Sequence, residues 1–219
     1  MSFHFPGPVG DLEGIHELPE ASADPTGAGL RGAAVVCHPH PLHGGTMRNT
    51  IVFRAARALR ANGLATLRFN FRGVEGSEGK HDGTGGEELD VAAGLDYLEA
   101  QHPGVPLWAV GYSFGSRTVS GRALKDPRIE HVVLIALPVS VYDCSFVERV
   151  EQPGFALFGS ADEFGTVAEL REKHPSLFQG TSRLEIDEIE GADHFFRGRT
   201  PILEEKIHDH VRSALGVSP

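Results

Sequence analysis

Six short apolar runs, separated by stretches of helical periodicity or by glycine-rich turns, constrain this 219-residue chain more than any other feature. They are Ala33 to Cys37, Leu64 to Phe71, Leu107 to Val110, His131 to Leu137, Phe155 to Phe158 and Arg183 to Ile189. Uninterrupted apolar strands that alternate with helices belong in a mainly parallel sheet covered on both faces, because each crossover lays a helix over the sheet. Residues 1 to 32, punctuated by Gly and Pro, read as one or two antiparallel edge strands. Asn49 to Ala61 places Val52, Ala55, Ala56 and Leu59 on one helical face and stops at Gly63. Glu87 to Ala100 does the same with Leu89, Ala92, Ala93, Leu95 and Leu98 and stops near Pro103. The last helix starts with Thr200 as cap and Pro201 at the first helical position, and it spaces Leu203, Ile207, Val211 and Leu215 four apart. With no internal repeat, low-complexity tract or linker, the expectation is one domain over residues 1–219.

Composition narrows the function. The formal charge is -10, from 20 Lys and Arg against 30 Asp and Glu, and no basic cluster occurs anywhere. That balance argues against nucleic acid or an anionic membrane as partner and favours a small molecule. No basic, then apolar leader opens the chain, and no apolar stretch approaches the roughly 20 residues that span a bilayer, so a soluble cytoplasmic protein is expected. Cys37 and Cys144 stand outside any CxxC or metal-spaced set and fit buried thiols in a reducing compartment.

The chemistry centres on Gly111-Tyr112-Ser113-Phe114-Gly115, which follows the apolar run at Leu107 to Val110 and precedes a helical segment. A strand, serine, helix arrangement holds the serine on a sharp turn at positive φ, with glycines on either side because a β-carbon there would clash. A serine hydroxyl is a weak nucleophile at neutral pH; it needs a histidine to take its proton and a carboxylate to orient that histidine. Asp162 follows Phe155 to Phe158 and His194 follows Arg183 to Ile189, so both lie at the carboxyl ends of strands, where parallel sheets bind ligands. Rival acids are Glu163, next in sequence, and Asp143, after the preceding strand; Asp193 is too close to His194 to reach around its ring. His102, His131, His174, His208 and His210 read as surface residues.

A developing oxyanion needs amide donors. One is Phe114, directly after the serine. The other belongs to the loop His38-Pro39-His40-Pro41-Leu42-His43-Gly44-Gly45, in whose middle only His40 and Leu42 carry an N–H, with His40 preferred. A metal held by His38, His40 and His43 is the competing reading of this loop, but no remote partner of clear spacing completes the set, so no metal and no cofactor are expected. The glycines at 73 to 79 lack a phosphate-binding register and read as a turn.

Taken together, HPHPLHGGTMRNT at 38–50, LRFNFRGVEGSEG at 67–79, GYSFG at 111–115, GSADEF at 159–164 and GADHFF at 191–196 resemble the small, lidless α/β-hydrolase superfamily proteins that carry an HPHPxxGG loop and are akin to dienelactone-hydrolase-like esterases. The resemblance implies an α/β-hydrolase fold: an eight-stranded, mostly parallel sheet flanked by helices, with Ser113, Asp162 and His194 as triad. Dienelactone hydrolases proper use a cysteine nucleophile, so their lactone substrates do not carry over to Ser113.

About 17 residues separate Leu137 from Phe155, which leaves no room for a large lid. Val139, Val141, Tyr142, Phe146, Phe164, Phe195 and Phe196 lie near the active loops and supply either a shallow acyl pocket or ordinary core, with Tyr112, Tyr142 and Phe195 the pocket candidates. The expected activity is hydrolysis of small acyl esters. Thioesterase, peptidase or acyltransferase chemistry would use the same residues, and a ligand-binding scaffold without turnover is the non-enzymatic alternative.

Overall fold

The computed structural model describes residues 1–19, 29–83, 85–180 and 182–216. Eight strands form one sheet: β1 (Phe3–Gly7), β2 (Gly10–Glu17), β3 (Gly32–Cys37), β4 (Leu64–Phe69), β5 (Leu107–Tyr112), β6 (Ile129–Ile135), β7 (Gly154–Gly159) and β8 (Leu184–Ile189), in the order β1-β2-β4-β3-β5-β6-β7-β8. β1 and β2 form the expected antiparallel edge pair, and β2 runs antiparallel to β4. All other pairings are parallel. Residues 20–28 of the edge segment lie outside the described residues.

Every residue of β3, β4, β5 and β7 is buried, as strands covered on both faces must be. Successive side chains point to opposite faces, so Val35 joins one apolar cluster and Val36 the other. On the Val36 side lie α1 (Thr50–Arg60) and α5 (Thr200–Ala214), through Val52, Ala55, Leu59, Leu203, Ile207 and Val211. On the Val35 side lie α2 (Gly86–Gln101), α3 (Phe114–Ala123) and α4 (Val167–Lys173), through Val91, Leu95, Leu98, Val119 and Leu170. Each of these Val, Leu and Ile side chains, fully buried, contributes about 1.5–3 kcal/mol.

Three sequence readings need correction. In α2, Leu89 is 51% exposed. The buried stripe instead runs through Glu87, Val91, Gly94, Leu95 and Leu98 and includes Asp90. Two carboxylates can occupy that stripe because Glu87 accepts from His81 and Asp90 from Arg72. At α5 the cap is Arg199, with Thr200 already helical and Pro201 in the first turn. His131 and His174 are buried rather than on the surface. His131 stacks on Trp108 and lies 2.9 Å, Nε2 to Nε2, from His210, whose Nδ1 bonds Glu185 at 2.7 Å.

The link from β6 to β7, residues 136–153, holds a single short 3-10 turn, Ser145–Arg149, and no lid. Both cysteines are buried and unpaired. Among the described residues no helix is long and apolar enough to cross a membrane.

Candidate active site

β5 ends at Tyr112 and α3 begins at Phe114, so Ser113 occupies the whole turn between them, at φ 54° and ψ −116°. Such a conformation in a non-glycine residue is strained and persists only where its surroundings impose it. Here the Ser113 N–H donates to the carbonyl of Ile135 on β6 at 2.8 Å, and the Ser116 hydroxyl donates back to the Ser113 carbonyl at 2.6 Å. The flanking glycines are required by contact. A β-carbon at Gly111 would lie 2.3 Å from the Gly115 carbonyl, and one at Gly115 would lie 2.5 Å from the Cys37 carbonyl oxygen.

The loops after β7 and β8 bring the other two residues to this turn. The Ser160 N–H donates to Ile189 and the Ala161 N–H to Ala192, which fastens one loop to the other. His194 Nε2 lies 2.8 Å from Ser113 Oγ. Its Nδ1 lies 2.9 and 2.8 Å from the two oxygens of Asp162. Asp162 and His194 are only 3% and 4% exposed, so the carboxylate faces the imidazole with little water to screen it. Asp162 Oδ1 also accepts from the Phe164 N–H at 2.7 Å, which fixes the carboxylate plane. With Nδ1 donating to a carboxylate, Nε2 is left as acceptor for the serine proton.

The rival carboxylates are engaged elsewhere or turned outward. Asp143 caps Ser145 N, Asp193 accepts from Arg197, and Glu163 is exposed.

Aromatic packing sets the histidine. The Tyr112 hydroxyl donates to the His194 carbonyl at 3.0 Å. Burial, reinforced by the charge of Asp162, pushes the Tyr112 phenol above its ordinary pKa, so it stays a donor. The rings of Phe164 and Phe195 meet His194 edge-on, with centroids at 4.6 and 5.5 Å. Tyr112 was expected from sequence only as a pocket wall; its spacing in the chain gave no sign of the bond to His194.

Ser113 and His194 open into a cavity of about 280 Å³. His40, Phe114, Tyr112, Tyr142 and Phe195 all line it, joined by Asn49, which the sequence showed only as a helix start. Asn49 does cap α1, by accepting from the Ile51 N–H. Val141 and Phe164 also line the cavity, whereas Val139 and Phe196 are core and Phe146 lies under the Arg117 guanidinium. Leu42 stands apart: its side chain is 71% exposed and its N–H is bonded to His40 Nδ1 at 3.1 Å. His38 does not join His40 and His43 either. It is fully buried with both ring nitrogens engaged, Nδ1 on the Pro39 carbonyl and Nε2 on the Phe71 N–H, while His40 and His43 stack on each other at the cavity wall.

The alpha/beta hydrolase fold family matches residues 42–176, and the chain belongs to that family. A structure of an alpha-beta serine hydrolase homologue from Coxiella burnetii is 33% identical, with TM-score 0.85 over 96% of each chain. A serine hydrolase without lid from Xanthomonas campestris is 32% identical, with TM-score 0.86 over 100% of this chain and 96% of its own. An uncharacterized protein of Rickettsia prowazekii is 37% identical over 214 residues, 95% of this chain and 87% of the relative.

Proposed function

We propose that this protein is a serine hydrolase that cleaves small acyl esters through an acyl-enzyme. The observation that carries the reading is the continuous hydrogen-bonded chain Asp162, His194, Ser113, ending at a small, mostly apolar cavity. His194 Nε2 takes the Ser113 proton as Oγ bonds to the acyl carbon. The tetrahedral oxyanion forms between the N–H groups of Phe114 and His40. Phe114 is the first residue of α3, so its N–H has no acceptor within the helix and sits at the positive end of the helix dipole. As the intermediate collapses, His194 returns the proton to the departing alcohol. Water then gives its proton to His194, attacks the acyl carbon and releases the acid with Ser113 restored. Asp162 holds His194 in the required tautomer and stabilises the imidazolium that forms twice per cycle.

Aromatic and aliphatic walls formed by Tyr142, Val141, Phe164 and Phe195 fit an apolar acyl group, and the short link 136–153 leaves the mouth open to varied alcohols. Turnover of p-nitrophenyl acetate and butyrate, alongside matched thioesters and anilides, tests the reading. Ser113→Ala and Asp162→Asn should each lower kcat by roughly 10⁴-fold while leaving the fold intact. A loss of less than about tenfold in either variant would remove that residue from the proposed chemistry.

A further inference from the structure

His38 lies outside the reacting chain, yet it is wholly buried directly beneath the loop that carries His40. Its Nε2 is 3.0 Å from the backbone nitrogen of Phe71, a donor, so Nε2 must accept and the ring proton must be on Nδ1. Nδ1–H then donates to the Pro39 carbonyl at 2.6 Å. A protonated ring would turn an N–H against the Phe71 N–H. Burial holds the His38 pKa down, at about 4, so the neutral form persists at working pH.

The Pro39 carbonyl and the His40 N–H are two ends of one planar trans peptide and point in opposite directions. Whatever fixes the carbonyl therefore fixes the amide. The next peptide is pinned as well, because the His40 carbonyl accepts from the N–H groups of His43 and Gly45, each at 3.1 Å. Behind the loop, the His38 carbonyl oxygen would be 2.7 Å from a β-carbon at Gly115, so loop and elbow are in direct register.

We propose that His38 is a positioning residue: by anchoring the Pro39 carbonyl on one side, it aims the His40 N–H at the oxyanion site on the other. The inference rests on the serine-hydrolase reading above. It assigns His38, which the sequence offered only as a metal ligand, a role in transition-state stabilisation exerted through a peptide plane.

Three variants test it. The Asn amide can place a donor near the Nδ1 position, the Gln amide reaches only the Nε2 position, and Phe retains ring volume without either bond. His38→Gln and His38→Phe should lower kcat for p-nitrophenyl acetate by about 10²-fold, the scale of losing one oxyanion donor, with KM changed by less than about threefold. His38→Asn should recover at least about tenfold of that loss. Thermal melts identify any variant that fails to fold; should His38→Phe be one, the Asn and Gln pair decides. Equal kcat in His38→Asn and His38→Gln, or a loss that falls on KM instead of kcat, would overturn the positioning role. Wild-type protein with no turnover and no Ser113 labelling would overturn the serine-hydrolase reading and this inference with it, whereas active wild type beside uniformly active His38 variants overturns the inference alone.

Discussion

Ser113 shows how narrow the tolerance of this site is. Its positive φ is held by backbone contacts with β6 and with its own helix, and Gly115 is where that helix meets the backbone of Cys37 and His38. Since both close atoms are carbonyl oxygens of a buried strand end, no flexible side chain can move aside. Gly115→Ala should destabilise the protein by about 1–3 kcal/mol, as overpacking does, and should slow turnover by displacing the His40 loop from Ser113. Urea denaturation and ester kinetics on the same preparation check it, and a variant with unchanged midpoint and rate would contradict the packing argument. Single residues were legible in the sequence where a turn restricts the residue type. The glycines around Ser113 and the positions of Asp162 and His194 after strands are of that kind. The loop at 38–45 was less legible, because a His-Pro-His run says which backbone N–H groups exist, not which way each peptide faces.

At the scale of elements, α2 and the turn after β4 are tied by Arg72. Its Nη2 is 2.7 Å from Asp90 Oδ1 and 2.5 Å from the Gly86 carbonyl, and its backbone N–H donates to Asp90 Oδ2 at 3.0 Å. The two side chains are 5% and 0% exposed. Asp90→Ala would leave the buried guanidinium with only the longer contact to Asp82, 3.5 Å from Nη1, and without the carboxylate that Nε, Nη2 and the backbone N–H share, an expected loss of about 3 kcal/mol. A shift in denaturation free energy below about 1 kcal/mol would show that the pair is dispensable. This tie also explains why the face of α2 was misread. Apolar counting assigns Leu89 to the core and treats Glu87 and Asp90 as solvent-facing, since charged residues are rarely buried unless paired. The partners, His81 and Arg72, sit in a loop and a turn whose positions only the folded chain supplies. α4 escaped notice for a simpler reason, having seven residues of which only Leu170 is buried.

For the molecule as a whole, the alternation of apolar runs and helices was enough to predict a parallel sheet covered on two faces, because that pattern has few other solutions. Contacts between distant segments were not legible, and the histidines show the consequence. His131 meets His210, Trp108 and the positive charge of Arg183, and Glu185 bonds His210. Burial, then the neighbouring His210, pushes the His131 pKa down to about 3. The unfolded chain titrates near its ordinary value, about 6.5, so below that pH the unfolded state binds a proton that the folded state does not. Stability is therefore full above about pH 6.5 and is lost as pH falls toward 3, by up to about 1.4 kcal/mol per pH unit for this one group. Comparing denaturation midpoints from pH 7 to pH 5 should show a shallower decline in His131→Phe than in wild type. Parallel curves would mean that His131 titrates freely in the folded protein.

The central claim, that Ser113 is an activated nucleophile, is tested most directly by intact mass after exposure to a fluorophosphonate, on wild type beside Ser113→Ala. One adduct on wild type and none on the folded variant is the predicted result. Folded wild type that stays unlabelled, or a variant that labels equally, would contradict it.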